Sequence, residues 1–369
     1  MKKLKILFDY SPAYKPNKTG IPIFVSELFD ALEKKEDVEI EKTLNISKYI
    51  PREPHKLFRF FEQLLYHDLY LPFKLKFGNY DFYIENQYIF IPLFKPKNIT
   101  VITVIHDIAL NLFDNLHTKE HTSNWRKKLP ISINNSDMIL TVSKSSKHDI
   151  ETYLHSINQT SKPVQFIYND VDLPIFRDSD KEKILGKFNI TTEYFLYLGT
   201  LEPRKNPLTL VKAFHLFKQN TQSNIKLVFA GKQGWLYDDV MLYISTHALE
   251  NEIIFTGYIS DREKVTLLEQ TKAFLFLSLY EGFGIPVLEA LKIGTPALVS
   301  DIPVFHELFQ ESVLYTPTND ITHISKQLQM VLQNPACIDT NMLEKFSWEL
   351  SATKLIDILK KYSALKEKE

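Results

Sequence analysis

Two glutamates, Glu281 and Glu289, are separated by seven residues and enclose the run Gly282-Phe283-Gly284-Ile285-Pro286. A carboxylate can accept two hydroxyl groups at once, which suits the diols of a sugar or a ribose. Glycines let a backbone come close to a ligand, and proline is favoured at the first position of a helix, where its missing N–H costs nothing. The unpaired N–H groups of a helix start attract anionic oxygens. Taken singly, Glu289 in the first helical turn could merely complement the helix dipole, and Glu281 could be a solvated loop charge. The pair, with a glycine-rich helix start between them, favours a site for a phosphorylated ligand that carries hydroxyls.

A second constellation is Gly199-Thr200-Leu201-Glu202-Pro203-Arg204-Lys205-Asn206-Pro207. Asn206 reads as the cap of a helix that opens at Pro207. Adjacent Arg204 and Lys205 would then lie beside the positive end of that helix, which is unfavourable as structure alone. An anionic ligand resolves the conflict, because Arg forks onto a diphosphate and Lys adds a point charge.

These loops need a sheet to present them. Apolar runs of strand length recur at Tyr194–Leu198, Ile225–Ala230, Ile253–Phe255, Ala273–Leu277, Ala297–Val299 and Val313–Tyr315. Helical periodicity lies between them, as in Leu210, Val211, Phe214 and Phe217 on one face. Short apolar strands alternating with helices predict a parallel sheet covered on both faces, with ligands at its carboxyl edge. The first half repeats the pattern at Leu4–Asp9, Val38–Ile40, Val101–Ile105, Met138–Val142 and Val164–Tyr168, with helices over Ile21–Lys34 and Ser145–Tyr153. A polar stretch from Asp170 to Lys183 reads as the linker between two α/β domains. A last helix spans Ser347–Tyr362. Periodicity leaves it free to cap its own domain or to cross back to the first.

Composition bounds the rest. A chain of 369 residues, 44% hydrophobic and 24% charged, is an ordinary two-domain globular protein. A net charge of −1 gives no basic field for nucleic acid. The single cysteine, Cys337, excludes an intramolecular disulfide framework and a thiolate zinc cluster, and fits a reducing compartment. The apolar run Ile6-Leu7-Phe8 is too short for a signal-peptide core, and no stretch approaches the roughly 18 apolar residues that span a bilayer. The expected location is the cytoplasm, with peripheral attachment to the inner face of the plasma membrane as an option.

Together with the terminal Phe346-Ser347-Trp348, these motifs resemble the retaining glycosyltransferases of family 4. Val104-Ile105-His106-Asp107 and Thr141-Val142-Ser143 resemble that family's strand ends in the first half. The resemblance implies the GT-B fold: two Rossmann-like domains with parallel sheets facing across a cleft. Residues 1–172 would form the acceptor-binding domain, 173–350 the nucleotide-sugar domain, and 351–369 the closing helix. It further implies that Arg204 and Lys205 hold the donor diphosphate, with Thr200 beside them, and that Glu289 binds the ribose. Glu281 with Gly282, Phe283, Gly284 and Ile285 would meet the transferred sugar. Tyr258 and Ile259 would meet the base, Gly20 the phosphates and acceptor, and His106 the reacting sugar. Two departures stand out. The first loop, Thr19-Gly20-Ile21-Pro22, has one glycine where many relatives have two, and Asn169-Asp170 replaces the usual Asn-Gly before the linker.

The expected chemistry is retaining transfer of a hexose or deoxyhexose, mannose or rhamnose favoured, without metal or cofactor. Two cations and helix N–H groups can stabilise a leaving diphosphate. The pairs Asp170-Val171-Asp172 and Asp178-Ser179-Asp180 lie in the linker, away from the donor loops. GDP-mannose, dTDP-rhamnose and a UDP-sugar all remain open as donors; the segment Gly231-Lys232-Gln233-Gly234-Trp235 resembles surface-polysaccharide mannosyl- and rhamnosyltransferases without choosing among them. A nucleotide-sugar epimerase or a phosphorylase on the same architecture is the alternative enzyme, and a non-catalytic pseudo-transferase subunit the alternative class. A dinucleotide dehydrogenase fits poorly, since no G-x-G-x-x-G follows the first strand. Between Lys48 and Phe77, bases alternate with aromatics: Lys56, Leu57, Phe58, Arg59, Phe60 and Phe61, then Leu64, Leu65 and Tyr66, then Phe73-Lys74-Leu75-Lys76-Phe77. This stretch suits an anionic membrane and a lipid-linked saccharide acceptor as well as it suits a core helix with a basic edge.

Overall fold

The computed structural model describes residues 3–14, 20–45, 65–66, 69–86, 98–113, 119–174, 176, 180–232, 234 and 237–367. The chain divides into two compact units. The first comprises Met1–Asn111, Glu120–Asp170 and Phe346–Glu369, and the second Leu112–Lys119 and Val171–Lys345. The units therefore part at Asp170/Val171, and the chain re-enters the first unit at Phe346.

The first unit holds one sheet of six parallel strands: β1 (Leu4–Phe8), β2 (Val38–Lys42), β3 (Phe82–Glu85), β4 (Thr100–Val104), β5 (Met138–Thr141) and β6 (Val164–Phe166), in the order β2-β1-β3-β4-β5-β6. Ile6 of β1 is in register with Ile40 on one side and Phe82 on the other. Edge strand β2 alternates, with Val38 buried and Glu39 and Glu41 exposed, whereas β3 and β4 are buried throughout. That contrast follows from position: an interior strand with helices on both faces has no solvent side. Strand β3 is absent from the sequence reading. Its four residues sit in an aromatic-rich stretch with no periodicity of its own, and only pairing with β1 and β4 makes them a strand.

The longer helices of this unit before its closing one are α1 (Ile21–Glu33), α2 (Leu71–Phe77), α3 (Lys119–Asn135) and α4 (Lys144–Ser156). Helix α1 buries Phe24, Val25, Leu28, Phe29 and Leu32, the face that its 3.6-residue period sets. In α2, Leu71 and Leu75 are buried and Phe73 and Phe77 exposed. The bases and aromatics at Lys56, Leu57, Phe58, Arg59, Phe60, Phe61 and Leu64 lie outside the described residues.

The second unit repeats the architecture with β7 (Tyr194–Leu198), β8 (Lys226–Ala230), β9 (Ile253–Gly257), β10 (Ala273–Phe276), β11 (Ala297–Ser300) and β12 (Leu314–Thr316), all parallel, in the order β12-β11-β10-β7-β8-β9. Its longer helices are α5 (Lys181–Lys187), α6 (Pro207–Thr221), α7 (Asp238–Thr246), α8 (Asp261–Gln270), α9 (Ile285–Ile293), α10 (Pro303–Phe309) and α11 (Ile321–Gln333). Helix α5 begins within the stretch read as a linker. Leu210, Val211, Phe214 and Phe217 of α6 share one core with Ile324, Leu328 and Val331 of α11 and with β7, β8 and β10.

The last helix, α12 (Trp348–Lys366), lies in the first unit against α1. Ser347 caps it by accepting from the Leu350 N–H at 3.4 Å. The Trp348 ring packs edge-on to Phe24, centroids 5.8 Å apart, and Ser351 Oγ donates to the Tyr168 carbonyl at 2.6 Å. Two ion pairs reach the segment around α1, Lys35–Glu349 at 3.4 Å and Lys360–Asp37 at 3.0 Å, but both are exposed and contribute little. The apolar seam is decisive: Ala352, Leu355 and Leu359 are fully buried. Leu355→Ala should lower the unfolding free energy by about 2–5 kcal/mol in chemical denaturation. A change within error would show that this seam does not hold α12.

Candidate functional site

Strand order puts the candidate residues of the second unit where its sheet reverses direction. From β7 the chain builds outward through β8 to β9, then returns to the other side of β7 with β10 and builds outward to β12. Loops leaving the carboxyl ends of β7 and β10 thus diverge over opposite faces, and open α/β sheets bind ligands at this point. The first loop carries Thr200, Glu202, Arg204 and Lys205, and the second carries Ser278 to Gly284. The Leu279 N–H donates to the Arg204 carbonyl at 2.8 Å, and Arg204 Nη1 donates to the Tyr280 carbonyl at 2.9 Å.

Side chains complete the junction. Glu281 takes Arg204 Nη1 on Oε2 at 3.0 Å and Lys205 Nζ on Oε1 at 2.5 Å. Arg204 Nη2 also holds Glu202 at 2.7 Å, and Lys205 lies 4.6 Å from the centroid of the Phe276 ring. All four charged side chains are at most 14% exposed. Glu281 is therefore not the solvated loop charge of the alternative reading. The cations that looked unfavourable at a helix start without an anionic ligand are balanced by the protein's own Glu202 and Glu281. Burial works against the Glu281 charge, but the adjacent Arg204 and Lys205, with the hydrogen bond from Lys205, outweigh it and hold the carboxyl at about 2. Burial pushes Lys205 down despite the attraction of Glu281, and Arg204 adds to that push.

Asn206 differs from its expected role. Its backbone is left-handed, with φ of 58°, its side chain makes no cap, and Nδ2 instead donates to the Thr318 carbonyl at 2.7 Å. It ties the β7 loop to the segment before α11.

Helix α9 begins at Ile285, behind Gly284 at φ 109°. A side chain at 284 would be strained by that φ, and its Cβ would sit 2.7 Å from the Phe305 ring, so only glycine fits. The start is one residue earlier than Pro286. Glu289 is therefore the fifth helical residue, in the second turn and not the first, and it is 5% exposed. At that depth it cannot be explained as a surface charge on the dipole. It meets Lys264 of α8 at 2.6 Å, a partner that sequence reading missed because the two are 25 residues apart on different helices.

The remaining candidates are dispersed. Phe283 is buried, Ile259 is 9% exposed and Tyr258 is largely exposed beneath Lys232, 5.2 Å from its ring. The Thr200 carbonyl accepts from Tyr197 at 3.0 Å. Of the 231–235 segment, Gln233 and Trp235 lie outside the described residues. Gly20 and His106 belong to the first unit. Gly20 precedes α1, and its carbonyl accepts from the Ile23 and Phe24 N–H groups at 3.1 and 3.0 Å. His106 follows β4, edge-on to Phe24 at 4.7 Å, and burial pushes its imidazole down to about 4, neutral at pH 7. Asp107 Oδ1 accepts from the Ala109 N–H at 2.9 Å. This unit has its own reversal, between β1 and β3, where sequence reading gave Asp9 and Asn86 no role: Asp9 Oδ2 accepts from the Asn86 N–H at 3.3 Å, and Asn86 Nδ2 donates to the Asp9 carbonyl at 2.8 Å.

The low Glu281 value has a measurable consequence. Its folded value lies below that of an unfolded glutamate, so its ionised form contributes stability that is complete above about pH 4.5 and is lost as pH falls towards 2. Glu281→Gln should destabilise the protein at pH 7 by roughly 3 kcal/mol and flatten its melting temperature between pH 4.5 and 2.5. A variant that tracks the wild type across that range would refute the ion-paired geometry.

Residues 179–348 match the family of glycosyl transferases group 1. Over 266 residues the chain is 27% identical to O-antigen chain mannosyltransferase B of Escherichia coli, covering 70% of each chain. It is 29% identical over 266 residues to O-antigen chain mannosyltransferase RfbU of Salmonella typhimurium, covering 72% of this chain and 68% of that one. Its fold is similar to that of Anabaena HepE solved with UDP and glucose, at a TM-score of 0.67 and 17% identity, over 97% of this chain and 99% of that one. The family match falls on the second half of the chain, and the two six-stranded parallel sheets with this structural neighbour make the fold one of GT-B type, two Rossmann-like units.

Proposed function

We propose that the protein is a retaining, metal-independent family 4 transferase that moves mannose, with rhamnose as second choice, from a nucleoside diphosphate to a lipid-linked saccharide in surface polysaccharide synthesis. The observation that carries the reading is the buried Arg204–Lys205–Glu281 cluster at the sheet reversal, next to the start of α9. Mannose leads because both relatives above are named as O-antigen chain mannosyltransferases.

The sugar–diphosphate bond breaks with its electron pair leaving on the diphosphate. Arg204, Lys205 and the α9 N–H groups stabilise that charge, which removes the need for a divalent cation. Glu281 holds both cations in place and faces the transferred sugar with Gly282, Phe283, Gly284 and Ile285. Thr200 lies beside the diphosphate, Tyr258 and Ile259 meet the base, and Glu289 takes the ribose hydroxyls. In the first unit, the family resemblance assigns Gly20 to the phosphates and acceptor and the neutral His106 to the sugar. The acceptor oxygen attacks from the face the diphosphate leaves, and its proton passes to the leaving phosphate oxygen. Lys205→Ala and Glu281→Ala should each remove transfer of mannose from GDP-mannose to below about 1% of wild type while the circular dichroism spectrum persists. Wild-type product should keep the donor's anomeric configuration by NMR, in EDTA as without it. An inverted product, or near-normal turnover in either variant, would sink the assignment.

The membrane-side acceptor is supported by α2 and the residues just before it. Leu65, Leu69, Phe73 and Phe77 recur every fourth residue and are 41%, 57%, 66% and 63% exposed, while Tyr66, Leu71 and Leu75 face the core. An exposed apolar ridge flanked by Lys74 and Lys76 fits the interface of an anionic bilayer. Among the described residues no helix is long and apolar enough to cross a membrane. The wild type should float with liposomes containing phosphatidylglycerol and sink with zwitterionic ones, and Phe73→Glu with Phe77→Glu should abolish flotation. Equal flotation of the double variant would refute this face.

A further inference from the structure

Glu289 accepts a strong hydrogen bond from a cation that no part of the donor motif supplies. Lys264 Nζ lies 2.6 Å from Glu289 Oε1, and the side chains are 17% and 7% exposed. A second carboxylate, Asp261, is 3.5 Å from Lys264 but 79% exposed and one turn away on the same helix. We propose that Lys264 is a positioning residue for nucleotide recognition: it fixes one oxygen of Glu289 and so aims the other at the 2′ and 3′ hydroxyls of the ribose. The inference rests on the reading of Glu289 as the ribose ligand.

Three features make the arrangement more than a structural ion pair. First, burial pushes the Glu289 carboxyl up, and Lys264 opposes that shift. A protonated carboxyl would lose part of its acceptor capacity, so the ammonium favours the form of Glu289 that accepts hydroxyls. Second, Lys264 is placed rigidly. It follows a capping box in which Ser260 Oγ accepts from the Glu263 N–H at 3.3 Å and Glu263 Oε2 accepts from the Ser260 N–H at 2.7 Å. The same turn is tied towards α5 by Lys187–Glu263 and Arg262–Asp180, each at 2.5 Å. Third, that capping box directly follows Tyr258 and Ile259, the stretch assigned to the base. Base contact and ribose positioning therefore lie on one continuous segment, β9 into α8, while the carboxylate they serve is on α9.

The test compares binding of GDP with that of 2′,3′-dideoxy-GDP by calorimetry, and of UDP with its dideoxy form in parallel. Lys264→Gln should weaken GDP or UDP about tenfold and leave the dideoxy nucleotide unchanged, so that the ratio between them collapses. Lys264→Arg should retain most of the ratio, and in transfer assays Lys264→Gln should raise the donor KM with kcat nearly constant. Because the readout is a ratio of two ligands on one preparation, a lower folded fraction cannot imitate it. If Glu289→Gln collapses the ratio and Lys264→Gln does not, the positioning role is wrong and the ribose reading stands. If Glu289→Gln leaves the ratio intact, the ribose reading itself fails.

Discussion

Arg204 and Lys205 are neighbours in the chain and both are nearly buried, an arrangement that two like charges tolerate only with an anion between them. Glu281 is that anion, reaching one cation with each oxygen. The interaction imposes conditions on everything around it. The β7 loop must stop rising after Lys205, which the left-handed Asn206 accomplishes, and the β10 loop must turn back over it, which requires Gly284 against Phe305. Glu281 thereby serves structure before it serves any ligand. Removing it leaves Lys205 buried beside Arg204 with no carboxylate of its own, which is why stability and transfer are expected to fall together.

The sheet order explains why these loops meet. In both units the chain begins at an inner strand, adds strands to one side, then crosses to the other. The reversal opens a gap between adjacent strand ends: β7 and β10 in the second unit, β1 and β3 in the first. Each gap is closed by polar side chains from both sides, Arg204 with Glu281 in one and Asp9 with Asn86 in the other. The second gap also borders a helix start with two preceding glycines, and that addition makes it suited to phosphate.

Glu289 illustrates how burial changes the meaning of a motif. One residue deeper in the helix than its spacing from proline suggests, it is a carboxyl group in a low-dielectric setting, held by a lysine from the neighbouring helix. The glutamates thus differ in function as well as position. Glu281 is held well below the ordinary range by two cations, whereas Glu289 is pushed up by burial and opposed by one.

Much of this was legible in the amino-acid order. All six strands of the second unit lie within a residue or two of where apolar runs predict them, and the four inner ones do so because they are buried on both faces and must be apolar almost throughout. The four residues of the ionic cluster and the lysine–glutamate pair mark the limit. Local spacing identified Arg204, Lys205, Glu281 and Glu289 as residues with chemistry, since glycine, proline and charge at a strand-to-helix turn are local signals. Which charge meets which was not legible, because Glu281 and Arg204 are 77 positions apart and Lys264 carries no signal within a surface-like helix pattern. Nor was β3, whose strand character exists only in its neighbours. Sequence by itself determined the strands and the strand-to-helix turns of the second unit and which residues are candidates for its chemistry. Tertiary structure alone decided the pairing of charges, their burial and hence their protonation, because these depend on the order in which strands are laid side by side and not on their order along the chain.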